Sequence, residues 1–378
     1  MINKERLADV FTMLVEIDSI SREEEGMFKK TGDIFESLGA EVFCDNAHVT
    51  IGGNTGNLVA KFSGTAAVEP MLLNAHLDTV EPGRGIRVKF ENGVFTSSGD
   101  TILGADDKSA IAILIEVMHV LKENKLDHGP IELVFTVCEE IGLEGAKNLD
   151  YDLITATFGY ALDASDTEGI VTRAPAANRL TYTIYGKDAH AGAAPEKGIN
   201  AIVLASRAIA PLNIGRIDHE TTCNIGVIQG GTATNIVPSA VTVQGEVRSH
   251  HNDRLDTVTE EITRSFERVV NDYIAADSGD IPRLEVVVEP EFPGTHIPEN
   301  HRVVELARKA AENLGRRMKT KTTGGGADAN IFFEKGIYVG VLGTGMQDMH
   351  TVRESVRLED LVKSAELVLE IIRLHATR

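Results

Sequence analysis

Only three cysteines occur in the 378 residues, Cys44, Cys138 and Cys223, far apart and without Cys-x-x-Cys spacing. That excludes a disulfide framework and a thiolate zinc site, and it fits a reducing compartment. Positive charge is scarce: 37 Lys and Arg stand against 57 Asp and Glu, a formal net charge of −20. Nucleic-acid binding relies on Lys and Arg to neutralise phosphates, and no basic block with interleaved aromatics is present, so nucleic acid is not an expected partner. No apolar stretch approaches the roughly 18 residues of a membrane span. The start, MINKERLADV, carries charge where a signal peptide needs an apolar segment. The expectation is a cytoplasmic protein with no membrane partner. Internal repeats and low-complexity linkers are also missing. So are a Gly-x-Gly-x-x-Gly after the first strand and a phosphate loop, which argues against a nucleotide-binding protein.

What is present is enough apolar material, 42% of residues, to build a core in each of two domains. Residues 1 to about 40 read as two amphipathic helices, with Leu7, Val10, Phe11 and Leu14 along one face of the first. Short apolar runs follow, NLVAKF, MLLNAH, IELVFTV and GYALD, separated by a long helical pattern through Ile111, Leu114, Ile115, Met118 and Leu121. This is the texture of an α/β fold whose mostly parallel sheet is flanked by helices. After about Thr172 a second series begins, RLTYTIYG, NIGVIQGG, VTVQGEVRS and RLEVVVEPEF with two intervening helices, which reads as a small α+β domain. From about Asn300 helix and strand alternate again. The predicted organisation is a catalytic domain from 1–176 and 291–378, interrupted by an inserted domain over 177–290.

In an open α/β sheet, ligands sit beyond the carboxyl ends of the strands, so polar residues that end apolar runs carry weight. His76 and Asp78 end MLLNAHLD; Asp106 and Asp107 lie where a loop enters a helix; Glu139 and Glu140 end VFTVCEE; Asp163 ends GYALD; His350 follows GVLGTGMQDM. Singly, each has an ordinary structural use, such as Asp106 capping its helix. Together they place imidazole and carboxylate at five strand ends and would concentrate negative charge in one crevice. Such a cluster needs cations, and its oxygen and nitrogen donors suit zinc, with cobalt or manganese acceptable. Two metals with a shared carboxylate match the five residues His76, Asp106, Glu140, Asp163 and His350. Asp78 is then placed to accept the free ring N–H of His76, and Glu139 is left over. Cys138 is not read as a nucleophile, since nothing nearby in sequence lowers its pKa.

This pattern resembles the co-catalytic dizinc amidohydrolase superfamily that contains peptidase T, carboxypeptidase G, succinyl-diaminopimelate desuccinylase and acetylornithine deacetylase. The resemblance rests on AHLDT, GADDK, the Glu-Glu pair, ALDAS, DAHAGAAPEKGINA, GGTATNIVP and DMHTVRE, and it spans nearly the whole chain. GADDK and TGGGADAN look closest to the peptidase T branch. A dizinc aminopeptidase family with the same ligand types carries its extra domain between the first His and the shared Asp. Here that interval is too short for a domain, and the long one lies between Asp163 and His350.

The resemblance implies two Zn2+ ions bridged by Asp106, one completed by His76 and Asp163, the other by Glu140 and His350. It further implies Glu139 as general base, a cis peptide between Asp106 and Asp107, and an inserted lid domain that dimerises. In that lid His190 would reach the partner's active site, and Asn235 and Arg248 would contact substrate, with Gly325 of TGGGADAN allowing close backbone approach. The expected activity is hydrolysis of short peptides by a tripeptide aminopeptidase like peptidase T. The alternatives are a carboxypeptidase or N-acyl amino acid deacylase of the same superfamily, or an inactive metal-binding relative.

Overall fold

The computed structural model describes residues 1–274 and 281–377. The chain divides into two compact units, Met1–Arg173 with Thr295–Arg378, and Ala174–Gly294. These limits fall a few residues from 176/177 and 290/291. The reason is sheet pairing: the strands Ala176–Tyr185 and Arg283–Phe292 are bonded to each other as far as Ala177 opposite Phe292, and both stay whole in the inserted unit.

The first unit is built on a nine-stranded sheet. Its centre is parallel, with Ile131–Thr136, Met71–His76, Phe158–Ala164 and Tyr338–Gly343 side by side. The strands Glu41–Cys44 and Leu58–Phe62 add an antiparallel edge. The central strands are apolar on both faces because helices cover both. Leu73, Leu133, Phe135 and Tyr160 point into the larger core with the helices Lys4–Val15, Glu25–Leu38, Ala105–Asn124, Arg302–Asn313 and Leu358–Ala376. Their neighbours Leu72, Val134 and Ala161 point into the opposite core with Phe332 of the helix Asp328–Glu334. A small antiparallel sheet of Val88–Glu91, Val94–Ser97 and Ser355–Arg357 lies apart from the main one and was not expected from the sequence.

The inserted unit is a five-stranded antiparallel sheet whose order places Arg283–Phe292 at one edge. Its helices Ala201–Ile209 and Asn252–Asn271 cover one face, where Leu180, Tyr182, Ile184, Leu204, Val243 and Phe266 form a separate core.

The central strands approach closely at Gly159, which pairs with Leu72. An alanine Cβ at 159 would stand 1.9 Å from the Leu72 carbonyl oxygen. Backbone cannot swing aside as a side chain can, so Gly159→Ala is expected to destabilise the first unit by about 1–3 kcal/mol or more, read as a lowered urea midpoint.

Candidate metal centre

The four parallel strands open their carboxyl ends onto one edge of the sheet. His76 is the last residue of its strand, Asp163 the last but one of its own, the Glu139–Glu140 pair follows Thr136, and His350 follows Gly343. Asp106 comes from the start of the helix Ala105–Asn124, where Asp106 (φ −82°, ψ 100°) and Asp107 (φ −121°, ψ 27°) leave helical geometry. The peptide joining them is cis.

Asp106 faces two histidines with its two oxygens. Oδ1 lies 3.1 Å from Nε2 of His76, and Oδ2 lies 3.2 Å from Nε2 of His350. The same His350 nitrogen lies 3.0 Å from Oε1 of Glu140. Donor atoms of His76, Asp106 and Glu140 lie within 4.8 Å of one another, and so do those of Asp106, Asp107 and Asp163. Asp106 is thus common to two candidate ion positions. The grouping differs from the expected one in setting His76 with Glu140 and in bringing in Asp107, whose Oδ2 accepts the backbone N–H of His76 at 3.2 Å.

The donor set fits metal ions. Two donors on one tetrahedral zinc, each about 2.0–2.1 Å from it, stand roughly 3.3 Å apart, and the contacts between Asp106, the histidines and Glu140 are 3.0–3.2 Å. Oδ1 of Asp107 is buried without a hydrogen-bond partner. Electrostatics point the same way. Burial, reinforced by neighbouring carboxylates, pushes Asp107, Glu139 and Asp163 well above the usual carboxylate range. Burial also raises Glu140. Asp106 goes down, because hydrogen bonds from His350 and His76 outweigh its burial. His350 is held up at about 10 by its hydrogen bonds to Asp106 and Glu140. A site this rich in carboxylates holds shared protons when no cation is bound, and divalent cations relieve the same repulsion.

The strand stops at Thr136, and Glu139 and Glu140 lie in the turn beyond it. Cys138 sits before them in the left-handed region (φ 54°). Its N–H donates to Oε1 of Glu24 at 3.0 Å, and Glu24 is wholly buried. Asp78 then accepts the N–H of Glu139 on Oδ1 (2.9 Å) and that of Glu140 on Oδ2 (3.2 Å), and Oδ2 also takes the hydroxyl of Ser21 (2.6 Å). The ring Nδ1 of His76 is nearer the backbone oxygen of Asp78 (3.0 Å) than its carboxylate (3.4 Å). The carboxylate of Asp78 therefore fixes the glutamate turn, and its carbonyl and, less closely, its carboxylate both face the ring Nδ1 of His76. The Cys138 thiol donates to Glu24 (3.2 Å), and burial first, then the charge of Glu24, push its pKa up. Both oppose thiolate formation.

Beneath the cluster Asp328 is buried against Thr136 Oγ1 and Asn74 Nδ2, and burial raises it to about 6. Sequence reasoning missed it, although it lies within the TGGGADAN segment. Gly325 of that segment lies in the loop before the helix Asp328–Glu334, and a Cβ there would meet only Thr323 Oγ1, at 3.9 Å. His190, Asn235 and Arg248 belong to the inserted unit. There the Asn235 carbonyl accepts the N–H of Ala191, while His190 Nδ1 accepts the N–H groups of Gly192 and Ala193. Arg248 lies on the strand Ala240–Ser249, paired with Glu246 at 3.0 Å and over the ring of Phe292.

Convergent carboxylates and imidazoles at the carboxyl edge of an α/β sheet, with a glutamate beside them, are the equipment of a hydrolase. Residues 72–374 match the family described as Peptidase family M20/M25/M40; the chain belongs to that family and is a hydrolase acting on peptide bonds. The uncharacterized protein YqjE of Bacillus subtilis is 42% identical over 373 residues, covering 98% of this chain and 99% of that protein. Among solved structures, the aminopeptidase PepT from Bacillus cereus is 41% identical with a TM-score of 0.89, and a tripeptidase from Staphylococcus aureus is 39% identical with a TM-score of 0.93. Each of these two matches covers 100% of both chains. Among the described residues no helix is long and apolar enough to cross a membrane.

Proposed function

We propose that this chain is a dinuclear zinc aminopeptidase that removes the first residue of short peptides, tripeptides above all. The observation that carries the reading is Asp106, whose two oxygens face His76 and His350 at 3.1 and 3.2 Å. His76 and Asp163 would hold one ion, and Glu140 and His350 the other. Bound there, the ions would supply Lewis acidity and acidify a water. Glu139 would accept that water's proton and pass it to the leaving nitrogen, a task suited to a carboxyl whose pKa burial raises above the usual carboxylate range. Asp78 would keep Glu139 in place through its backbone N–H. His190 would polarise the scissile carbonyl oxygen, and Asn235, Gly325 and the planar fork of Arg248 would seat the peptide. Likeness to the Bacillus cereus aminopeptidase PepT supports an amino-terminal specificity, and likeness to the Staphylococcus aureus tripeptidase supports a tripeptide substrate.

The inserted unit would join two copies into a homodimer. Its edge strand carries Val286, Val287 and Val288 at 37%, 41% and 39% exposure, apolar on both faces of an edge that invites pairing. The unpaired state of the described cysteines suits a cytoplasmic setting. The reading is tested with tripeptides, tripeptides acetylated at the amino terminus, and N-acetyl amino acids, each assayed with added zinc, cobalt or manganese. Cleavage confined to peptides with a free amino terminus is expected. Turnover of N-acetyl amino acids instead would make the chain a deacylase, and cleavage from the carboxyl end a carboxypeptidase.

A further inference from the structure

Glu354 lies four residues beyond His350 and is 1% exposed. Its Oε2 accepts the N–H groups of Leu103 (2.8 Å) and Gly104 (2.7 Å), and its Oε1 accepts the N–H of Asp106 (2.9 Å). All three donors belong to the loop that delivers Asp106. They lie at or before the first turn of the helix, where no preceding carbonyl of the helix can receive them. A buried carboxylate is costly unless it is fully hydrogen-bonded, and three amide donors meet that need.

The other end of Glu354 is equally constrained. Its own N–H donates to the Thr351 carbonyl (3.0 Å), and Gln347 and Ser355 exchange backbone hydrogen bonds at 2.8 and 3.1 Å across the base of the same loop. That closed loop holds His350 at φ 61°. One carboxylate therefore ties together the backbones of two loops whose side chains, Asp106 and His350, meet at 3.2 Å.

We propose that Glu354 is a positioning residue that presets the separation of Asp106 and His350 and so sets the affinity of the ion that His350 and Glu140 share with Asp106. The inference rests on the dinuclear reading of the site. The ion held by His76 and Asp163 depends less on it, because their strands are fixed by the sheet.

The molecule supplies its own control. Glu132 is another buried carboxylate that accepts backbone N–H groups, those of Thr155 and Ala156, each at 2.9 Å from its Oε2. It lies near the amino end of the strand Ile131–Thr136, away from the metal ligands. Glu354→Gln and Glu132→Gln each turn one acceptor into an amide facing amide donors, and both are expected to lower the urea midpoint.

The discriminating measurement is cobalt(II) titration of the metal-free full-length chain, followed by visible absorption. Wild type and Glu132→Gln are expected to take up two ions with the same affinities. Glu354→Gln is expected to bind the second ion about 10- to 100-fold more weakly, the size typical when a partner that orients a ligand is lost. Glu354→Asp keeps the charge and should recover part of that loss, and it serves in place of Glu354→Gln if the latter does not fold. Unchanged cobalt affinities in the Glu354 variants, or equal weakening in Glu132→Gln, would overturn the proposal. A wild-type chain that takes up fewer than two ions would instead overturn the dinuclear reading beneath it.

Discussion

Glu139→Ala is expected to keep about two metal ions per chain and to lose about 10²–10⁴-fold in kcat. Glu139 lies in neither group of converging donors, yet it is only 9% exposed and sits within electrostatic reach of His76, Asp163 and Glu140. A carboxyl that is buried and would lie beside the proposed ions without binding them is placed to take a proton and return it. Its backbone is held by Asp78 and, through Cys138, by Glu24, so removing the side chain leaves the turn in place. For that reason kcat and kcat/KM should fall together while KM stays near its original value, the pattern of an interaction made only in the transition state. Metal analysis and steady-state kinetics on one preparation decide the matter. Retained hydrolysis removes Glu139 from the reaction, whereas loss of an ion makes it a ligand.

The residues that converge on the candidate metal centre were legible because each ends or follows an apolar run, and a parallel sheet gathers such ends at one edge. His76, Asp163 and Glu140 announce themselves in this way. Their supports do not. Glu24 lies between Glu23 and Glu25 in SREEEGMF, a stretch that reads as a solvated charge run; Glu23 is half exposed and Glu24 wholly buried. Only the folded turn at Cys138, whose amide Glu24 receives, distinguishes the three. Glu354 is hidden for the same reason, because its partners are backbone groups about 250 residues away, and backbone donors have no side-chain signature. The limits of the inserted unit differ by a few residues from those read in the sequence because the pairing of Ala176–Tyr185 with Arg283–Phe292, not a change of composition, marks where the contacts divide. Side chains that converge as candidate ligands can be read from residue type and position. Those that place them act through main-chain amides, and these need the fold.

This division gives the largest expected effect on metal binding to Asp106→Asn. The substitution keeps the shape of the side chain and leaves the Asp106 N–H on Glu354, so the loop should stay where it is. What changes is one oxygen, which becomes an NH2 that cannot coordinate. Because Oδ1 faces His76 and Oδ2 faces His350, whichever end the amide turns inward robs one ion of a ligand, and the loss of charge weakens both. Affinity for both ions should fall by more than the roughly 10- to 100-fold seen when only a supporting partner is lost. After dialysis the variant should hold less than one ion per chain and show hydrolysis at background. His350→Ala, which touches only the Oδ2 side, should give up one ion and keep the other. If Asp106→Asn also retains one ion tightly, Asp106 is a ligand of a single metal and the shared carboxylate must be sought in Asp107 or Asp163, the other members of the second group.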